Sequence, residues 1–264
     1  MIRLAHLLLF ILMFSSMASA ADWPQFRGPS SAGTAQSPAP LPADIGPDKH
    51  VIWKTELPPG HSSPAIVGNK IFLTAVQGKE HLETIALDRA SGKILWRVEA
   101  PHKSLEKIHN IGSYAQPSPA ADEERVVTMF GSSGLYCYDH SGKEIWHVAM
   151  GPFNDEFGAA ASPVIVDDRV LVAQDHDSGS FLAAYDKRTG QQLWRTDRSE
   201  FSRGYCTPVV WEVDGQRQIV VSGTLRVVGY EWHTGLELWT VRGLARVVCI
   251  TPTIGDDNTL YAAG

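Results

Sequence analysis

Two short landmarks recur along this chain in one order and at one period, and together they leave few folds open. The first is a Ser/Thr-Pro pair at Ser63-Pro64, Ser118-Pro119, Ser162-Pro163, Thr207-Pro208 and Thr251-Pro252, with the prolines 55, 44, 45 and 44 residues apart. The second is Gly-x-x-x-Trp, at Gly92/Trp96, Gly142/Trp146, Gly190/Trp194 and Gly235/Trp239. Ser162 to Trp194 shows what one unit contains. Val164-Ile165-Val166 and Arg169 to Ala173 flank a turn at Asp167-Asp168, and a polar run follows from Gln174 to Ser180. Phe181 to Tyr185 then resumes the apolar pattern, before Asp186 to Gly190 turns the chain into Gln191 to Trp194. Four β-branched and aromatic runs separated by three turns read as an antiparallel meander. Four strands per unit at a period of about 40 to 50 residues mark a radially repeated sheet. Tandem hairpins in an open sheet would not hold Gly and Trp at a constant offset. The expected fold is therefore all-β, a propeller of four-stranded blades.

Full units run from Ser63 to Glu99, Pro117 to Ala149, Ser162 to Thr196 and Thr207 to Arg242, and a partial fifth reaches Leu260-Tyr261-Ala262-Ala263-Gly264. Val51 to Leu57 resembles the closing strand of a unit whose first three strands are missing. Such a strand would complete a last blade and remove an open edge. The expectation is an incomplete copy of a ring of seven or eight blades, on the order of 400 residues and monomeric when complete.

The chain has 264 residues, 44% of them hydrophobic and 20% charged, which is the composition of a globular core and not of a disordered chain. A formal net charge of -6 without a Lys/Arg cluster excludes a general nucleic-acid binder. Residues 1–20 read as a signal peptide: Arg3, the apolar run Leu4 to Met13, then Ala18-Ser19-Ala20 ahead of Ala21. The run is too short to span a bilayer and His6 interrupts it, so export to the periplasm or envelope is expected, with no transmembrane segment after cleavage. Cys137, Cys206 and Cys249 are odd in number and lie in different units; Cys137 reads as a packing residue, and a Cys206–Cys249 bridge is not expected. Residues 21–50 read as an extended arm pinned to the propeller by Trp23 and Phe26, ahead of a propeller region at 51–264.

The recurring residues have structural explanations. Gly92, Gly142, Gly190 and Gly235 permit a positive φ in the turn between third and fourth strands, which Asp88, Asp139 and Asp186 can cap. Trp96, Trp146, Trp194 and Trp239 are expected to bury their indoles between blades. Glu231-Trp232 stands where Tyr-Asp is expected, leaving the fourth cap unassigned.

The pattern of Ser162-Pro163, the run Leu182-Ala183-Ala184-Tyr185-Asp186, and Gly190 through Trp194 resembles the repeat of pyrroloquinoline-quinone-like propellers. The N-terminal Trp23-Pro24-Gln25-Phe26-Arg27-Gly28-Pro29 is similar to that of exported bacterial proteins of this class. The resemblance covers residues 22–264 and implies the fold. It does not choose a function, because the repeat is shared by quinone-dependent dehydrogenases, by the propeller lipoprotein of outer-membrane β-barrel assembly and by other binding proteins.

Function is expected in what does not recur. Strand reversal sends the inter-blade linkers and the second turns to one face, and the unusual segments lie there: His102 to Gln116, Gly151 to Ala161, Gln174 to Ser180 and Arg198 to Cys206. The candidate binding residues are His109, Asn110, Asp155, Gln174, Asp175, His176 and Arg203, a mixture suited to hydrogen-bonding a polar ligand. Asp175-His176-Asp177 is read as a polar turn and not a metal site, since adjacent strand residues point to opposite sides. No catalytic residue, metal or cofactor is assigned. The expected function is an exported, non-catalytic binding or scaffold module for a protein, peptide or glycan. The alternative is a quinone-dependent dehydrogenase fragment using PQQ and Ca2+. The resemblance places two adjacent cysteines over that cofactor, and no Cys-Cys pair exists here. Envelope lipoproteins carry a Cys after the signal, which is also lacking and counts against that subclass.

Overall fold

In the computed structural model the described residues are 21–35, 40, 42–78 and 80–264. The signal sequence expected at residues 1–20 lies outside them. Each unit forms its own antiparallel four-stranded sheet. The first blade holds β1 (Ala65–Val67), β2 (Lys70–Gln77), β3 (His81–Asp88) and β4 (Ile94–Glu99), and the second holds β5 (Ala120–Ala121), β6 (Arg125–Met129), β7 (Leu135–Asp139) and β8 (Glu144–Val148). The third comprises β9 (Val164–Val166), β10 (Arg169–Gln174), β11 (Phe181–Asp186) and β12 (Gln192–Asp197). The fourth comprises β13 (Val209–Val213), β14 (Gln216–Gly223), β15 (Arg226–Glu231) and β16 (Glu237–Arg242). A fifth sheet begins with β17 (Thr253–Ile254) and β18 (Leu260–Tyr261). Val51 to Leu57 has no ladder partner among the described residues, yet occupies a fourth-strand position through the contacts of Trp53 given below.

Blade stacking explains which strands read as alternating and which as continuous apolar runs. Successive strand residues point to opposite faces, so a middle strand between two blades buries both. Val170 and Val172 of β10 with Phe181, Ala183 and Tyr185 of β11 pack on Val127, Met129 and Leu135 of the second blade. Leu171, Ala173, Leu182 and Ala184, the alternate residues, pack on Ile219, Val221 and Val228 of the fourth. The outer strands β4 and β12 have one wet face and alternate half-buried with exposed positions.

Three contacts join neighbouring blades, and the recurring Gly and Trp take part in them. The indoles of Trp53, Trp96, Trp146 and Trp194 each lie over the turn glycine of the next blade. A Cβ on Gly190 (φ 72°) would stand 2.8 Å from the Trp146 ring, and Gly92, Gly142 and Gly235 face Trp53, Trp96 and Trp194 in the same way. The indole N–H then donates to the carbonyl after the capping acid: Trp53 to Arg89 at 2.9 Å, Trp96 to His140 at 3.1 Å and Trp146 to Lys187 at 2.9 Å. Thr55 Oγ1 donates to Gly92 O as Thr196 Oγ1 does to Gly235 O, both at 2.6 Å. At Trp194 the expected carbonyl, that of Trp232, is taken by Arg169 Nη1 at 2.6 Å, and the buried indole N–H has no partner among the described residues. Trp239 departs from the expected inter-blade burial: it lies over Gly229 of its own blade and donates to Gln218 Oε1 at 2.6 Å.

The Ser/Thr-Pro openings form a hydroxyl relay around the inner strands. The N–H of Ser63 donates to Ser118 Oγ, that of Ser118 to Ser162 Oγ, that of Ser162 to Thr207 Oγ1 and that of Thr207 to Thr251 Oγ1, at 2.9, 2.9, 3.0 and 3.1 Å. The turn caps also hold in all four blades. Asp88, Asp139 and Asp186 accept backbone and hydroxyl donors from the following turn. The fourth is Glu231, one residue earlier than the sequence alignment placed it, and its longer side chain accepts His233 N–H, Thr234 N–H and Thr234 Oγ1.

The N-terminal arm runs along the inner strands. Trp23 exchanges both backbone hydrogen bonds with Ile66 of β1, and Pro24 O accepts Ala121 N–H of β5. Arg27 Nη1 reaches Thr251 O at 3.0 Å, linking the first blades to the fifth sheet. Asp22 Oδ1 takes Gly68 N–H at 2.9 Å, so the arm enters from the face of the short turns, opposite the candidate residues.

Candidate recognition surface

On the linker face, successive loops are tied edge to edge around the ring. His109 N–H donates to Glu156 O, Asp177 N–H to Asn154 O, Gly204 N–H to Asp175 O and Tyr205 N–H to Val248 O, at 2.7, 2.8, 3.1 and 3.0 Å. Gln116 Nε2 adds a 2.6 Å bond to Phe157 O. The loops from all four blades thus form one continuous surface.

Its centre is a charge pair between the third and fourth blades. Arg198, fully buried at the end of β12, donates Nε to Asp175 Oδ1 at 2.8 Å and Nη2 to Oδ2 at 2.6 Å, while Nη1 donates to the Tyr230 hydroxyl. The guanidinium stacks 4.0 Å over Phe201. Burial opposes its charge, but the Asp175 carboxylate and the Tyr230 oxygen outweigh this and hold its pKa above the ordinary range. A Cβ at Gly204 or Gly223 would stand 2.7 Å from Asp175 Oδ2 or Arg198 Nη2 respectively, so both glycines serve this close approach.

The seven candidates divide by exposure. Gln174, Asp175, His176 and Asp155 are buried and hold the loops in place. Gln174 Nε2 donates to Ala161 O at 3.3 Å. Asp155 Oδ1 accepts the Tyr205 hydroxyl and Phe157 N–H, both at 3.0 Å, and burial raises its pKa despite these donors. His176 Nδ1 meets Ser178 O at 2.9 Å and its Nε2 is unpartnered; burial lowers its pKa, keeping the ring neutral. His109, Asn110 and Arg203 reach solvent. The His109 ring lies 5.7 Å from Phe157, and Arg203 pairs with Asp177 at 2.9 Å and Glu156 at 3.0 Å. Sequence reasoning missed Arg198 and Tyr230, and placed Tyr205 on this face without a role. The available signal was that Arg198 and Asp175 both stand at blade-edge positions where other units carry no charge.

This surface does not fit a carboxylated quinone. Arg198, Arg203 and Arg226 are already neutralised by Asp175, by Asp177 with Glu156, and by Glu200, which leaves only the exposed Arg246 among the described arginines of the linkers and so no clamp of several arginines. Cys206 is a single buried thiol, pushed up to about 12 by burial, whose Sγ lies 3.2 Å from Ile250 O. Among the described residues no group of three or more His, Cys, Asp and Glu is placed to hold a metal ion, and the three cysteines are unbridged. No helix among them is long and apolar enough to cross a membrane.

Comparison with known proteins gives the same repeat. The family model described as outer membrane protein assembly factor BamB matches residues 45–175 and 83–262. The outer membrane protein assembly factor BamB of Burkholderia pseudomallei (strain K96243) is 31% identical over 117 residues, which cover 43% of this chain and 28% of that protein. The crystal structure of BamB from Moraxella catarrhalis superposes with a TM-score of 0.52 at 18% identity, covering 78% of this chain and 56% of that one. The quinohemoprotein alcohol dehydrogenase of Comamonas testosteroni superposes with a TM-score of 0.58 at 13% identity, covering 85% and 42%. At these identities the structural likenesses show the fold. The chain spans less than two thirds of each of these proteins.

Proposed function

Because the chain belongs to the PQQ-like propeller repeat family described as outer membrane protein assembly factor BamB, we propose that it is an exported, non-catalytic module. It binds a protein partner in the periplasm or cell envelope through its linker face. The observation that carries this reading is the way that face is built. Its buried Asp175 is paired with Arg198, and its buried Asp155 accepts the neutral Tyr205 hydroxyl. The groups left at the surface, His109, Asn110 and the partly exposed Arg203, can offer hydrogen bonds without further chemistry. A rigid surface of this kind loses little conformational freedom on association. The relative from Burkholderia, named as an assembly factor, supports a protein partner over a glycan.

The dehydrogenase reading makes a different demand, a cationic clamp for the quinone carboxylates, and Arg198, Arg203 and Arg226 of the face are engaged elsewhere. Addition of PQQ with Ca2+ to the full chain should produce neither a rise in unfolding temperature nor dye-linked oxidation of alcohols. Turnover would replace the binding module with a dehydrogenase.

A further inference from the structure

Two cavities sit side by side at the outer rim, astride the segment Ala149 to Pro152 that leaves β8. One, of 510 Å³, is lined by His102, Lys103, Ser132, Ser133 and His147 together with that segment. The other, of 410 Å³ in the groove between the second and third blades, is lined by Phe153, His176, Phe181, Gln192 and Arg195 together with the same segment. The ridge between them is fixed: Ser132 Oγ accepts Phe153 N–H at 2.8 Å, and a Cβ on Gly151 would stand 2.8 Å from Ser132.

The charge on this rim is opposite to that of the molecule. The chain carries 29 Asp and Glu against 23 Lys and Arg, yet among the described residues no carboxylate lines either cavity. The cavity beside the arm contains Asp22, Asp122, Glu123 and Glu124, and the one under the fourth blade contains Asp167, Glu212 and Glu231. Arg195 lies 3.6 Å over the Phe181 ring. Among the described residues, Arg97, Arg169, Arg198, Arg203, Arg217 and Arg226 each face a carboxylate, whereas Arg195 and Lys103, like several exposed cations elsewhere such as Arg188 and Arg246, form no ion pair and are the ones that line a cavity free of carboxylates. Phe153 lies 4.3 Å from the ring of buried His176, so the floor of the second cavity is aromatic.

We infer that this rim is a second binding site, for an extended acidic-aromatic peptide segment of a partner protein that crosses the Ala149–Pro152 ridge. One side of the ridge offers Lys103 with His102 and His147 to a carboxylate. The other offers the exposed Arg195, seated on the buried Phe181 ring, to a second carboxylate, and the edge of Phe153 to an aromatic side chain. Two small cavities divided by a fixed ridge match successive side chains of one strand better than a single compact ligand. Two formal cations are too few for a nucleic-acid backbone, whose affinity scales with the phosphates neutralised. The rim borders the linker face and shares His102, Gly151 and His176 with its segments, but Arg203 and Asn110 line neither cavity, so the two surfaces can be tested apart.

The test is fluorescence anisotropy on the full chain with a labelled octapeptide alternating Glu and Phe, its Lys–Phe counterpart, and phosphatidylglycerol vesicles. The Glu–Phe peptide should bind and the Lys–Phe peptide should not. R195E and K103E should each weaken binding about tenfold or more, as should a rise from about 50 to about 500 mM salt. R203E should leave binding unchanged. Unaltered thermal unfolding of these surface variants separates loss of binding from loss of fold. The inference is overturned if the wild type ignores the Glu–Phe peptide, binds both peptides equally, binds only the vesicles, or keeps its affinity in R195E. It is equally overturned if R203E is the variant that loses the peptide, an outcome that would instead favour the linker face.

Discussion

Single residues decide how the linker face is held, and Arg198 is the clearest case. Its guanidinium is fully buried and makes every strong contact within the protein. Removing one partner of a buried pair leaves the other charge unsolvated, at a cost of about 3 to 5 kcal/mol. Arg198→Met should therefore destabilise the protein by about that amount in urea unfolding, and adding Asp175→Leu should recover part of the loss. Additive losses in the double variant would mean that the two charges act independently. The relay hydroxyls are a smaller case. Ser162→Ala leaves the buried N–H of Ser118 without an acceptor and should cost about 1 to 3 kcal/mol. Ser162→Thr should cost less, because Thr207 and Thr251 already serve the same role. Equal losses for Ala and Thr would remove the hydroxyl from the account.

At the scale of the strand and the turn, the blade interfaces rest on the Trp-over-Gly contact. Trp146 is 8% exposed and its indole N–H is bonded, so Trp146→Ala should cost about 3 to 5 kcal/mol in denaturant unfolding. A change near zero would mean that the blades are held by their aliphatic rows alone. Much of this level was legible in the sequence because its causes are local. A positive φ at Gly190, a carboxylate cap at Asp186 and the alternation of Leu182 and Ala183 are each settled within a few residues. Strand reversal likewise follows from counting turns, which assigned His109, Asp155, Asp175 and Arg203 to one face without coordinates. Exposure was not legible, because it depends on which neighbouring blade covers a residue. Asp175 and Arg203 read alike as polar loop residues, yet one is under a guanidinium and the other pairs at the surface. The capping acid of the fourth blade was obscured by a one-residue ambiguity that the longer side chain of Glu231 resolves.

Across the whole molecule, burial of titratable groups couples the fold to pH. His176 is kept neutral chiefly by burial, with Arg195 acting in the same direction and Asp175 and Asp177 opposing. Its folded pKa is depressed, so the stability it contributes is present above its ordinary value of about 6.5 and is lost as pH falls through the folded value. The raised pKa of Asp155 has the opposite sign: the stability it contributes is present below the ordinary value of 3.8 and is lost as pH rises through the folded value. Urea unfolding at about pH 7.5 and about pH 5.5 should therefore show lower stability at the acidic value, with the difference reduced in His176→Gln. An equal difference in the variant would assign the dependence to other groups.

The central claim is that the face built by the inter-blade linkers is where this propeller meets a protein partner. Site-directed photo-crosslinking in intact cells tests it most directly, with the photoreactive residue placed at exposed Asn110 on that face and at exposed Asn69 on the opposite one. The account predicts one discrete protein adduct from Asn110, lost when Arg203→Glu is introduced, and none from Asn69. An adduct from Asn69 alone, or none from Asn110, would contradict it.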